Sequence, residues 1–347
     1  MTSQQSTALA PCSKRVAATK RLVMAIAAVL GTLLWLGLPS AQASTASTDS
    51  TEPSLLSPDE GRNCLGQGRT RAVMNHVLGV AYGPLGVEHT LRMGVCTPVS
   101  RKPGVLFKHS FFEVGYQQRL SPIYLQPGAY VRFAPLSFLV FEAVASPVAY
   151  WPIDLPGAAY HELSGYEADY RPEALSPERG RSAGGWFLRG SVTLQLSVGL
   201  GPVNLIVMDI LGFERWVLGS ADYYYHNRQD LPAANPEGFL ENNALVMVEI
   251  PVHPNVKVRF GANDQLNMNF GAQQKSNTLA AVTMVNFDRI GTRVRDFSPI
   301  VRVGGRTHHP VRQGDFTFLV AIQFSLDLSK QVPDLKPASS DETQAQL

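Results

Sequence analysis

Charge is scarce in this 347-residue chain: Asp, Glu, Lys and Arg make up 17% of it, against about a quarter in ordinary soluble domains. Cysteine is scarcer, at three residues. After residue 40 no apolar run approaches the ~20 residues of a membrane-crossing helix, which argues against a helical membrane protein. Sequence signatures of catalysis are missing as well. There is no G-x-S-x-G, no H-E-x-x-H and no phosphate-binding glycine loop. No cofactor is expected and the chain does not read as an enzyme. His308 and His309 are adjacent but lack a third ligand, so they read as polar loop rather than metal site.

What is present begins with an export signal. Lys14, Arg15, Lys20 and Arg21 precede an apolar run over 22–38, and Ala41-Gln42-Ala43 is an A-x-A cleavage pattern. The alternative is an uncleaved anchor helix, for which the run is at the short limit. Removing 1–43 takes away four positive charges and no negative ones, so a net charge of +2 becomes −2. The basic pI of 8.4 therefore belongs largely to the signal, and no nucleic-acid partner is expected. Cys12 and Trp35 leave with the signal. Cys64 and Cys96 remain in an oxidising compartment, where they pair as a disulfide or stay as two free thiols. Residues 44–70 are led by a Ser, Thr, Pro and acid-rich stretch that cannot bury a core and should be disordered.

The rest alternates. In DFTFLVAIQFSLDL (315–328), Phe316, Phe318, Val320, Ile322, Phe324, Leu326 and Leu328 share one face, while Thr317, Gln323, Ser325 and Asp327 share the other. A period of two is a strand. Similar segments occupy 72–82, 87–96, 105–118, 123–133, 139–145, 186–198, 203–216, 244–250, 256–262, 279–287 and 293–304. In 203–216 the phase stays open, because Asn204 and Asp209 fall on opposite faces. An aspartate there reads as a phase slip or bulge rather than a catalyst. PVSRKPG (98–104) is a break, and 134–137, 199–202, 251–255 and 288–292 are short turns. Residues 150–184, 217–242, 263–277 and 305–314 read as long loops.

About twelve strands of roughly ten residues match what a tilted strand needs to cross a bilayer. With both ends of the chain on one side, the four long loops all fall outside and the four short turns inside. Trp151, Trp186 and Trp216 all land at the outer boundary, as an aromatic girdle would. Glu88, Arg92, Glu113, Arg132, Glu142, Arg189, Glu249, Lys257 and Arg259 share the face opposite the apolar one and are candidates to line a lumen.

In signal, alternation, loop asymmetry and girdle, the chain resembles bacterial outer-membrane β-barrel proteins over 71–330. The resemblance implies an all-β fold, an antiparallel transmembrane β-barrel of about 12 strands (10–14). It implies location in the cell outer membrane, with outer-membrane lipids and the barrel assembly machinery as partners; soluble partners are unknown. Such barrels usually end on a terminal aromatic, whereas here a polar tail follows over 331–347. The leading expectation is a small channel or passive transporter for polar solutes. A second is a non-conducting barrel whose loops, rich in tyrosine (Tyr150, Tyr160, Tyr166, Tyr170, Tyr223, Tyr224, Tyr225), serve adhesion or scaffolding. A third is a lipid-modifying barrel enzyme, for which His89 sits in the apolar row of Val87 and Leu91 and Ser110 is a candidate partner. The fourth is a secreted soluble β-sandwich.

Overall fold

The computed structural model describes residues 70–328 apart from 84, 100–105, 108, 155–158, 172 and 291–293. The stretches read as a signal (1–43) and as a polar tail (331–347), all but the last residue of the expected lead-in, and Cys64 lie outside the described residues. The strands are β1 (Arg71–Tyr82), β2 (Gly86–Pro98), β3 (Phe111–Ser121), β4 (Tyr124–Leu136), β5 (Leu139–Tyr150), β6 (His161–Leu163), β7 (Ala183–Leu200), β8 (Val203–Leu218), β9 (Tyr223–His226), β10 (Leu231–Ala234), β11 (Glu237–His253), β12 (Val256–Asn269), β13 (Lys275–Ile290), β14 (Val294–His308) and β15 (Phe316–Asp327).

Twelve of these close into an antiparallel barrel in the order β1-β2-β3-β4-β5-β7-β8-β11-β12-β13-β14-β15, with β15 returning to β1. The closing seam runs from Val73 opposite Asp327 to Tyr82 opposite Phe318 without a register break. Closure leaves no strand edge, so no open row of backbone donors and acceptors remains along the wall. The period-two pattern then sorts side chains. Outward positions carry exposed Leu78, Val80, Leu188, Leu194, Phe213, Val246, Phe260 and Leu279. At ~25 cal/mol per Å² an apolar belt of this extent is costly in water and costs nothing in lipid. The wall is that of a membrane-crossing barrel, not of a sandwich whose apolar faces meet each other.

Connections depart from expectation in three places. The stretch read as a polar loop over 263–277 is mostly strand: β12 runs to Asn269 and β13 starts at Lys275. Its polar residues Asn263, Asn267 and Asn269 alternate inward, where water and polar partners tolerate them. Likewise 217–242 and 305–314 shrink to 219–236 and 309–315, and the longer connections contain structure of their own. Loop length is also less cleanly sorted than expected. The connection over 99–110 lies at the short-turn end, and the hairpins after β1 and β3 are tight at the long-loop end.

The largest buried cluster fills the long-loop end. Tyr124, Tyr150, Phe187, Trp216 and Phe239 from the wall meet Tyr160, Tyr224, Leu231 and Ala233 from the two longest connections. A second cluster, Cys96, Phe111, Ala134 and Val140, lies towards the other end. Cys96 is fully buried and disulfide-bonded.

A closed barrel keeps its shape in detergent until heated. The purified protein should migrate faster unheated than boiled and should fractionate with membranes; a soluble protein with a single gel position would contradict the architecture.

Candidate functional site: a charged lumen under a folded cap

Inward residues build a continuous ion-pair network across the lumen. Glu142 on β5 accepts two hydrogen bonds from Arg92 on β2, at 2.9 and 3.0 Å. Because β3 and β4 lie between these strands, the two side chains meet only through the interior. Glu142 also lies 3.4 Å from Arg132 and 3.3 Å from Arg189. Arg132 reaches Glu113 at 3.2 Å, and Glu113 accepts a 2.5 Å hydrogen bond from the Tyr130 hydroxyl. Gly94 makes room for that hydroxyl: a Cβ there would collide with it. From Arg189 the network continues to Glu241 at 3.1 Å and Glu214 at 3.4 Å. Glu214 in turn meets Arg228 at 3.5 Å. Four guanidiniums thus face four carboxylates, so the network carries almost no net field.

The remaining lumen candidates stand apart from it. Glu249 pairs with Arg259 at 2.6 Å and takes the Asn204 amide at 2.9 Å. Lys257 lies 3.3 Å from Asp288 near the short-turn end. Glu88 accepts hydrogen bonds from Tyr124 and Thr90. Sequence reasoning missed Glu214, Glu241 and Arg228. Glu214 lies on β8, whose phase was open, and Glu241 lay in what read as loop. Arg228 belongs to a connection with no period to place it.

Above the network the two longest connections fold into a cap. β6, β9 and β10 form a three-stranded sheet in the order β10-β9-β6. Tyr224 stacks on Tyr160, Tyr225 stacks on Tyr170, and His226 meets Trp216 edge-on at 4.4 Å. Tyr150, Tyr160, Tyr170, Tyr224 and Tyr225 are therefore buried, which corrects their reading as an open contact surface; Tyr166 and Tyr223 remain partly exposed. Gln229 donates to Glu214 at 2.7 Å, so the cap dips into the charged lumen. An ion cluster holds its far side. Asp230 pairs with Arg306, with Arg312 at 3.1 Å and with the Tyr225 hydroxyl at 2.6 Å. His309 lies 2.8 Å from the Asp230 carbonyl, which gives that histidine a structural place. Among the described residues, no three His, Cys, Asp or Glu side chains gather as metal ligands.

The outer wall corrects three assignments. Trp216 does not belong to a girdle: it is 1% exposed, and its indole donates to Glu214 at 3.0 Å. It pairs opposite Phe187, one residue out of phase with exposed Trp186, so it lies on the inner face. Trp151 is half-buried just past the end of β5, while Trp186 lies opposite Pro147, lower on that strand. Ser110 is no partner for His89. It is buried beside Phe111, which pairs with Pro98, while His89 pairs with Leu120, about 30 Å along the strand. His89 meets His76 instead, with ring nitrogens 3.2 Å apart. Asp209 is neither slip nor bulge: β8 keeps unbroken register with both neighbours, and Asp209 faces out, bonded to Asn242 at 2.7 Å.

No protein-family model matches the chain, and no curated protein matches it. Among solved structures it is similar to the translocator domain of autotransporter NalP from Neisseria meningitidis (11% identity, TM-score 0.39, 77% of this chain and 91% of that one). It is similar to LpxR from Salmonella typhimurium (9%, 0.39, 73% and 99%). It is also similar to OmpT, an outer membrane protein of Vibrio cholerae (9%, 0.32, 74% and 96%). At these identities nothing of those proteins' activities passes to this chain.

Two outcomes follow from the site. Glu142→Gln leaves three guanidiniums around a neutral amide, so the folded barrel should lose on the order of 3–5 kcal/mol, read as a lower urea midpoint. Acid should loosen the cap before the barrel. Burial pushes the His226 imidazole down to about 3, with Glu214 opposing and Arg228 adding to the shift. A histidine depressed by folding stabilises fully above its unfolded value near 6.5 and loses that as pH falls towards the folded value. By pH 5 the loss is on the order of 2 kcal/mol. Asp230 is held low: burial raises its carboxyl, but the His309 hydrogen bond and Arg306 and Arg312 outweigh it. Its contribution persists until pH falls below about 4. Protease cleavage within 219–236 should accelerate between pH 7.5 and 5 while the heat-dependent gel shift survives.

Proposed function

We propose that the protein is an outer-membrane β-barrel that is closed at rest and holds a folded platform at the cell surface. The observation that carries this reading is the shared core of cap and wall, in which Tyr224, Leu231 and Ala233 pack with Phe187, Trp216 and Phe239. Loops that merely border a pore have no reason to bury residues this deeply. The orientation follows the loop rule: the two longest connections, which build the cap, lie outside. Beneath the cap, the Arg92–Glu142–Arg189 chain crosses the lumen and further obstructs an open path. The platform's exposed rim carries Glu162, Glu167, Asp169 and Glu173 rather than the buried tyrosines, so partner contact would be polar.

A second reading, a gated passage for polar solutes, is favoured by the charge-lined lumen itself. A barrel of about twelve strands has room for water, and a purely structural interior need not be this polar. On this reading the cap is the gate and the Asp230 cluster its latch. Catalysis on lipid is not proposed: among the described residues the side chain bonded to His89 is His76, not a nucleophile.

Planar-bilayer recording separates the two. Wild-type protein should be silent; steady porin-like conductance would sink the closed reading. Replacing 221–234 with a Gly-Ser linker should leave a heat-shifting barrel. If that variant conducts, the cap is a gate. If it stays silent, the lumen is a structural strut and the platform is the function.

A further inference from the structure

Two polar patches interrupt the apolar wall. On one side His76 and His89 face out, in the rows of exposed Leu78 and Val80 and of Val87 and Val95, and Gln118 faces out in the row of Val114 and Leu120. On another, Asp209 faces out with Val207, Leu211 and Phe213, and Asp264 shares its face with Phe260, opposite buried Arg259, Asn263 and Asn267. Asp209 and Asp264 both pair with Ala244 of β11, one from each side. Five strand steps separate β2 from β8 one way round, and five separate β1 from β11 the other way. The patches are therefore on opposite sides of the barrel.

Their chemistry is complementary. His76 Nδ1 and His89 Nε2 share one hydrogen bond at 3.2 Å. Whichever ring donates it, a neutral pair keeps one further N–H free on the other ring. The Tyr116 hydroxyl occupies the Gln118 carbonyl oxygen at 2.9 Å, leaving that amide's two N–H groups. The donating ring keeps one bare nitrogen, so this side is mainly a donor surface: one imidazole N–H and the Gln118 amide against a single acceptor. The other is an acceptor surface: Asn242 satisfies one oxygen of Asp209, and Asp264 has no partner among the described residues. A carboxylate facing hydrocarbon is unfavourable unless a partner reaches it, and an intramembrane ionisable group marks a contact by default.

Depth also agrees. Counting from the short-turn ends, His76 lies five residues into β1 and His89 nine from the end of β2. Asp209 lies six into β8 and Asp264 eight into β12. Both patches then sit about 18 Å above that end for strands tilted by ~40°.

We infer that the protein associates with further copies of itself in the plane of the membrane, the histidine face of one barrel against the aspartate face of the next. Such a contact is head-to-tail, and because the two faces are opposite each other it propagates as a row rather than closing as a dimer. The inference rests on the wall facing lipid, as proposed above.

Cysteine cross-linking in native membranes tests it. Leu91→Cys lies in the donor patch between His76 and Gln118, and Ala244→Cys lies between the two aspartates. Cys96, fully buried and already bonded, stays. Copper-phenanthroline oxidation should give dimers when the two single variants are co-expressed, none from either alone, and a ladder from the double variant. Adding Asp264→Leu should abolish the ladder while the heat-dependent gel shift persists. Dimers from Leu91→Cys alone, an unchanged ladder with Asp264→Leu, or no cross-link in a membrane-inserted, heat-shifting protein would each overturn the inference. If the cysteine variants fail to insert, single-molecule photobleaching of labelled wild type in phospholipid vesicles decides: multi-step spots support association and single steps overturn it. Failure of wild type itself to fractionate with membranes would instead remove the lipid-facing reading on which this one stands.

Discussion

Everything in this structure depends on closing the hydrogen-bond ladder. In hydrocarbon an unpaired backbone donor or acceptor costs several kcal/mol, so a strand that crosses a membrane needs a partner on both sides. The seam between β1 and β15 provides the last of these. Once it is closed, alternate side chains have only two destinations. Bulky apolar ones meet lipid and the rest are enclosed, so the low charge content of the chain and its polar interior have one cause.

Enclosure explains the lumen. Most of the charged side chains inside the barrel are largely withdrawn from water, and leaving one unpaired would be costly. They reach one another instead, across strands that do not touch, as Arg92 does to Glu142. Charge balance within the network follows, and with it the lack of a strong field for selecting ions. The cap joins this system through Gln229 and Arg228 at Glu214, and joins the wall through the Trp216 cluster. Cap and lumen therefore form one energetic unit: what loosens one changes the other. The outer wall obeys the same rule with opposite sign. There polar groups are the exception, and His76, His89, Asp209 and Asp264 stand out because their neighbours are apolar.

Much of the wall was legible because a strand's faces are written in its own residues. The clean alternation of 186–198 placed Trp186 and Leu188 outside and Arg189 inside, and the structure has them there. Where alternation was interrupted by polar residues on both faces, reading failed. Asp209 made β8 look out of phase, and with the phase went Glu214 and the face of Trp216. Asn263 and Asn267 made strand look like loop, because an inward asparagine in a polar lumen has the composition of a turn. Ser110 looked close to His89 only because sequence distance says nothing of which end of a hairpin a residue occupies.

By itself, the sequence determined that the chain alternates, that it does so about twelve times, and that most of its charges fall on the face away from lipid. These are local properties, carried by neighbours two residues apart. Only the tertiary structure decided which charges meet, that the tyrosine-rich connections fold inward over the lumen, and that two polar patches lie on opposite sides of the wall. Each of those depends on which strand lies beside or across from which. That is a matter of closure and register over distances of tens to hundreds of residues, and no local pattern encodes it.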